Sequence, residues 1–292
     1  MQSQLKELGS LLKQARKTRG LTQTDVGAAV KYMQPVISRF EKGLARIPAV
    51  VLEGLIDTLE VAPSTAATMR RLNDFSQVDH LGTDARLKAT PRWFRDVVAA
   101  EREATAVLSW TGERISGQLQ CESYMLEQFN AHGLVDVDDA VSERLDRGEL
   151  LTRYPERAYD FLLSESALLR LVRARTVNPY VALDQIKHLL GLTEKHPWIG
   201  IRVVPFGTGL YVPPDLTIFK FAGDRGNFSY GETSNGIQRS NCATFQTDLS
   251  AWESLSSVAL TAQESRDLLD QAKHGLATTR MPTVTGTIER LR

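Results

Sequence analysis

The stretch LTQTDVGAAVKYMQPVISRFEKG, Leu21 to Gly43, fits two short amphipathic helices joined by about three residues, and few folds accept that spacing. Val26, Ala29 and Val30 share one face of the first helix, and Ile37 and Phe40 share one face of the second, which is the three-to-four periodicity of helical burial. The punctuation agrees. Gly20 tolerates the positive φ that ends a preceding helix, and Thr22 can accept a backbone N–H at the start of the next. Pro35 stands in the first turn of the second helix, where its missing N–H costs little, and Gly43 ends that helix. Upstream, Leu5, Leu8, Leu12 and Ala15, with Leu11 beside them, line one helical face. Downstream, Pro48 opens a fourth helix that turns Val51, Leu52, Leu55, Ile56 and Leu59 inward, and Pro63 and Ser64 start a fifth that ends near Gln77. Residues 1–78 are therefore expected to form an all-α, five-helix domain.

Charge singles out the same region. The full chain is formally neutral, yet residues 1–50 hold nine Lys or Arg against three acids, a surplus of six that the remainder balances. A basic module on a mildly acidic body suits a localised polyanion contact, although charge alone fits a solvated surface equally well.

The pieces ARKTRGLTQTDVGAAV (Ala15–Val30) and VISRFEKG (Val36–Gly43) resemble the helix-turn-helix of the phage-repressor-like, xenobiotic-response-element type of bacterial regulators. The resemblance implies that the second helix of the pair enters the major groove and reaches base edges with its early residues. With Ile37 and Phe40 in the core, the residues left for base contact are Gln34, Pro35, Val36, Ser38 and Arg39. Gln34 suits adenine, Arg39 suits guanine, and Pro35 or Val36 suits a thymine methyl. Thr22 and Gln23 at the start of the preceding helix, and Lys42 and Arg46 beyond the second, are the expected phosphate contacts. The resemblance also implies a bond between Gln23 and Gln34, and Glu41 reads as closing the helix end rather than touching a base. Three residues depart from the pattern. Lys31 stands where the turn usually has a small residue such as Gly, and Pro35 replaces a polar residue. Met33 occupies the cap position, at a cost of about 1 kcal/mol relative to Ser. Such domains usually bind as dimers on half-sites about 34 Å apart, so a homodimer on an inverted-repeat operator is expected.

Beyond a polar linker at 79–92, residues 93–276 read as a larger α+β domain. Helices are expected from Pro91, over Cys121–Ala131, Val137–Thr152, Ser164–Arg173 and Tyr180–Lys195, and from Thr261, where Glu264 completes a capping box. TAVLSW (Thr105–Trp110), AYDFLLS (Ala158–Ser164), IGIRVVPF (Ile199–Phe206), LTIFKFA (Leu216–Ala222) and NFSYGE (Asn227–Glu232) read as strands, with a turn at Gly223–Asn227. Residues 277–292 are Thr-rich and read as a tail. ISGQLQCESY (Ile115–Tyr124), LSESAL (Leu163–Leu168), IRVVPFGTG (Ile201–Gly209) and ALTAQESRDLL (Ala259–Leu269) resemble, in order, the landmarks of a C-terminal domain common in actinobacterial, antitoxin-like regulators. That resemblance implies control by a small protein encoded nearby.

Little in the body points to chemistry. His80, His132, His188, His196 and His274 lack metal-ligand spacing. GTGLYVPP (Gly207–Pro214) lacks the Lys-Ser/Thr of a phosphate loop, and Ser109, Ser164 and Ser166 have no His that the sequence pairs with them. The expectation is no enzyme, no cofactor and no metal. The alternative to partner control is a small-molecule effector held in an apolar pocket by Trp110, Phe161, Phe206, Tyr211, Phe219, Phe221, Phe228 and Tyr230; core packing accounts for the same aromatics. Cys121 and Cys242 are expected as free thiols. No apolar run approaches a signal peptide or the roughly 20 residues of a membrane helix, so a cytoplasmic, nucleoid-associated protein without membrane contact is expected.

Overall fold

A computed structural model describes residues 2–74, 94–131, 137–174, 177–208, 214–223, 226–233, 236–240 and 242–278. The N-terminal region is all-helical: α1 (Gln2–Thr18), α2 (Gln23–Ala29), α3 (Gln34–Glu41), α4 (Ala49–Thr58) and α5 (Pro63–Asn73). Leu8, Leu12, Val26, Val30, Ile37, Phe40, Val51, Leu52 and Leu55 are buried together, on the faces the periodicity selects, except that Ala29, expected beside Val26 and Val30, is exposed. Thr22 caps α2 in a capping box with Asp25, accepting from the Asp25 N–H at 3.1 Å while the Asp25 carboxylate accepts from the Thr22 N–H at 2.8 Å. Met33 precedes α3 without a side-chain cap. Lys31 has φ of 61°, so the turn does adopt the left-handed conformation that a glycine would accept more readily. α1 crosses the end of α3 closely: a Cβ on Gly9 would lie 2.5 Å from the Phe40 carbonyl oxygen and 2.6 Å from that of Glu41. Only glycine permits that approach.

The C-terminal region is larger and mixed. Its elements are α6 (Arg95–Glu103), β1 (Ala106–Thr111), α7 (Glu122–Ala131), α8 (Val137–Arg153), β2 (Ala158–Ser164), α9 (Glu165–Arg173), α10 (Pro179–Lys195), β3 (Ile199–Val204), β4 (Leu216–Lys220), β5 (Phe228–Thr233), β6 (Gly236–Arg239), α11 (Cys242–Val258) and α12 (Ala262–Thr278). The strands form one six-stranded sheet in the order β3-β2-β1-β4-β5-β6. β1, β2 and β3 are parallel, and β4, β5 and β6 continue the sheet antiparallel from the other side of β1. Parallel neighbours need crossover connections, which α7–α8 and α9–α10 supply.

The two faces of the sheet are covered differently. Leu108, Trp110, Leu162, Leu216 and Ile218 pack against Phe245, Trp252 and Leu255 of α11. On the opposite face Val107, Phe161, Leu163 and Phe219 join an apolar cluster that is continuous with the core of the N-terminal helices. α11 and β6 were not expected. The stripe Phe245, Leu249, Trp252, Leu255 carries a readable helical spacing, whereas β6 is a four-residue edge strand with no alternation to find. The capping box at Thr261 and Glu264 forms as expected. α6 begins at Arg95; the start at Pro91, the linker at 79–92 and residues 279–292 of the tail lie outside the described residues.

Candidate nucleic-acid interface

The surface of α3 is set by a chain of side chains that begins in α1. Arg16 donates twice to buried Glu41, from Nε to Oε1 at 2.5 Å and from Nη2 to Oε2 at 3.0 Å. Gln23 donates through Nε2 to Glu41 Oε2 at 2.7 Å, and Gln34 donates through Nε2 to Gln23 Oε1 at 2.6 Å. Burial works against the charge on Glu41, but the bonds from Arg16 and Gln23 outweigh it and hold the carboxyl below its ordinary pKa. Glu41 thus closes the helix end, and the amide of Gln34, the first residue of α3, is held in one orientation. Gln34 and Pro35 are exposed; Val36, Ser38 and Arg39 are partly buried, with Val36 packed at the edge of the core. Thr22, Lys42 and the Met33 side chain are exposed, and Gln23 is partly so.

The C-terminal domain takes hold of the rest. Arg39 donates from Nη1 to the Asn130 carbonyl of α7 at 3.1 Å. Tyr32, in the turn between α2 and α3, donates its hydroxyl proton to Glu127. Burial pushes both groups up in pKa. Asn178 donates from Nδ2 to the Val30 carbonyl at 2.7 Å, and its backbone N–H donates to Glu127 at 3.0 Å.

Arg46 requires a correction. It was expected on the phosphate backbone, but it is only 6% exposed. Its guanidinium bonds to Asp138 of α8 at 3.1 Å, Glu122 of α7 at 3.3 Å and the Asn73 carbonyl at 2.9 Å. In this arrangement it joins the domains. Sequence spacing could not show this, because its two acidic partners lie 92 and 76 residues downstream.

The aromatics expected to line a pocket divide. Phe161, Phe219 and Phe228 are core, Phe206 is 61% exposed, and Phe221 packs at the core's margin. Tyr211 lies outside the described residues. Tyr230 borders a cavity between the sheet and α8, whereas Trp110, on β1 beside that cavity, turns its side chain to the α11 face. Ser164 caps α9, Ser166 bonds to Glu113, and Ser109 bonds to Thr217. Cys121 is a buried free thiol, pushed up to about 12 by burial and by Asp184. Among the described residues, no cluster of His, Cys, Asp or Glu has the shape to hold a metal, and no helix is long and apolar enough to cross a membrane.

A short α2, a tight turn, and an α3 whose leading residues face outward on a basic module define a helix-turn-helix DNA-binding domain of the kind that transcription regulators carry. A helix-turn-helix domain family matches residues 7–69. Residues 94–271, more than half of the chain, match the domain of unknown function DUF5753, and the chain belongs to that family. No curated protein and no solved structure matches the chain significantly.

Proposed function

We propose that the protein is a sequence-specific transcriptional regulator that binds an inverted-repeat operator as a dimer, and that its C-terminal domain controls access to the DNA-reading residues. One observation carries this reading: the two residues best suited to read bases are in opposite states. Gln34 is exposed and oriented by Gln23, whereas Arg39 is tied to the Asn130 carbonyl. Full reading of a site needs Arg39 released. The same domain holds Tyr32 and Arg46 on either side of α3, so α7 and α8 act as a clamp on the helix-turn-helix. Either trigger, a small molecule or a small protein partner, would act by loosening this clamp.

Operator titrations with the full chain test the DNA half. Gln34→Ala and Arg39→Ala should each cost about 1–3 kcal/mol at the cognate site, with two chains bound per operator. Lys42→Ala should weaken binding to all sequences and flatten its salt dependence. Unchanged affinity and sequence preference in both reading variants would refute this placement of α3 in the groove.

Loosening the clamp tests the other half. The double variant Glu122→Gln, Asp138→Asn removes the charges that hold Arg46 to the body. It should tighten DNA binding by about fivefold or more, the low end of allosteric coupling. Anisotropy titrations that give the wild-type affinity for this variant would show that the contact is structural only.

A further inference from the structure

The sheet face that meets α8 is not apolar throughout. Phe219 and Phe228 cover one part of it, but towards the end of β1 the same face carries Ser109, Thr111 and Thr217. Ser109 and Thr217 are register partners whose hydroxyls lie 3.1 Å apart. Thr111 is two residues further along β1, hence on the same face. Above this row of hydroxyls is a cavity of about 540 Å³, the size of a site for a small metabolite. Its other walls are α6, α8 and the Ile115–Gln120 loop. That loop belongs to the ISGQLQCESY stretch, which DNA binding leaves without a role. Gln185, fully buried, braces it by accepting from the Cys121 N–H at 2.9 Å and donating to the Leu119 carbonyl at 2.8 Å.

Three arginines reach the cavity, and four carboxylates, Glu101, Glu143, Asp215 and Glu232, also line it, but these are shared unevenly among the arginines. A Cβ on Gly117 would lie 3.6 Å from both Arg144 Nε and Arg147 Nη1, so two guanidiniums converge on one point of the wall. Arg147 is taken by Glu101 in a two-pronged pair, 2.7 Å on each side. Arg114 at the rim is taken by Asp215 at 2.9 Å and Glu232 at 2.7 Å. Arg144 has only the Gln120 amide oxygen at 2.9 Å and the Phe129 ring 5.0 Å away; among the described residues no carboxylate stands within ion-pair distance of it. Burial, with Arg147 adding to it, pushes the Arg144 guanidinium down to about 10. It is still a cation at neutral pH, with its charge under-compensated. A second group lacks a counterpart: the hydroxyl of Thr111, 6% exposed, has no hydrogen-bond partner among the described residues, which native interiors seldom tolerate.

We propose that this cavity is a binding site for a small organic acid, whose carboxylate pairs with Arg144 and whose other polar groups meet the hydroxyls of Ser109, Thr111 and Thr217. The volume exceeds what a bare inorganic anion fills, and Phe94, Phe129 and Tyr230 offer apolar surface to an organic body. One negative charge is selected over two. Arg114 and Arg147 are already matched, so a second charge on the ligand would meet Glu143 and Glu232 with no spare cation. An occupant would press on both arms of the clamp. α7 turns Gln128 and Phe129 to the cavity and Glu127 and Asn130 to the helix-turn-helix. α8 turns Arg144 and Arg147 to the cavity and Asp138 to Arg46. The site stands independently of DNA binding; its effect on DNA rests on the function proposed above, and requires different affinity for the held and released states.

Thermal unfolding of the full chain tests the site, with sodium benzoate as probe and with inorganic phosphate and chloride at equal ionic strength as controls. Benzoate should raise the wild-type Tm by a few degrees through preferential binding to the folded state, and phosphate should not. Arg144→Met should abolish the benzoate shift while leaving the ligand-free Tm equal to or above that of the wild type, because it removes an unmatched buried charge; an arginine with a purely structural role would instead lower it. No shift in the wild type, a shift that survives Arg144→Met, or an equal shift with phosphate would each overturn the proposal. DNA binding is followed in the same samples. A benzoate shift with unaltered DNA affinity keeps the site and removes its control of the clamp. A chain that fails to bind DNA with or without benzoate refutes the DNA reading and leaves the site standing.

Discussion

Glu41→Ala destabilises the N-terminal domain by about 3–5 kcal/mol, the cost of removing one partner of a buried ion pair. Glu41 is almost wholly buried, and Arg16 is nearly so. The substitution leaves the Arg16 guanidinium with the Leu21 carbonyl alone and leaves the Gln23 amide without its acceptor. The loss should also reach function, because Gln23 orients Gln34. Equilibrium denaturation measures the first effect and operator titration the second. A loss under about 1 kcal/mol, the worth of an exposed pair, would mean that Arg16 and Gln23 find other partners. Glu41 also makes the domain sensitive to acid. Its pKa in the fold lies below the roughly 4.3 of an unfolded glutamate. Its stabilisation is therefore complete above that value and is lost as the pH falls through the lower folded value.

In the body the corresponding loss comes from Glu101→Ala, also about 3–5 kcal/mol. Glu101 is 2% exposed and pairs with Arg147, one of the two converging guanidiniums of α8. Burial opposes the charge on Arg147 and Glu101 more than restores it; without Glu101, Arg147 and Arg144 face each other and still share the attraction of Glu232, which is bonded to Arg114. A Glu101→Leu, Arg147→Met double variant should recover most of the stability, since replacing a whole buried pair by apolar side chains is often neutral or better. If the double variant unfolds as readily as Glu101→Ala alone, the damage lies in packing rather than in unmatched charge. The expected contrast with Arg144→Met is that Arg147 is held by its pair with Glu101, whereas Arg144 bonds the neutral Gln120 amide oxygen.

In the function proposed here, the clamp and the cavity together would give the body a part in DNA binding that its fold alone would not suggest. α7 and α8 form the crossover from β1 to β2, and such a crossover needs only to cover the sheet. Here its two helices have a second face each. Tyr32, Arg39 and Arg46 lie on the outer side, with Phe129, Arg144 and Arg147 on the inner.

Local order was written in the sequence by itself. Val26, Ile37 and Phe40 recur at helical spacing, Thr22 caps and Met33 does not, and AYDFLLS forms β2 over the residues its pattern marks. The pairing of Gln23 with Gln34 was also legible, as what the resemblance to the helix-turn-helix family implies, and the closing role of Glu41 beside it. The tertiary structure decided which charges are available. Arg46 looks like Lys42 in the sequence, two cations just past α3, yet one is buried among carboxylates of another domain and the other faces solvent. Of Arg144 and Arg147, three residues apart on one helix, a carboxylate from α6 reaches Arg147, while Arg144 meets a neutral amide. Periodicity fixes which way a side chain leaves its own helix or strand, but a charge is matched or left over according to what the folded chain brings against it from far away in sequence, and spacing along the chain carries no record of that.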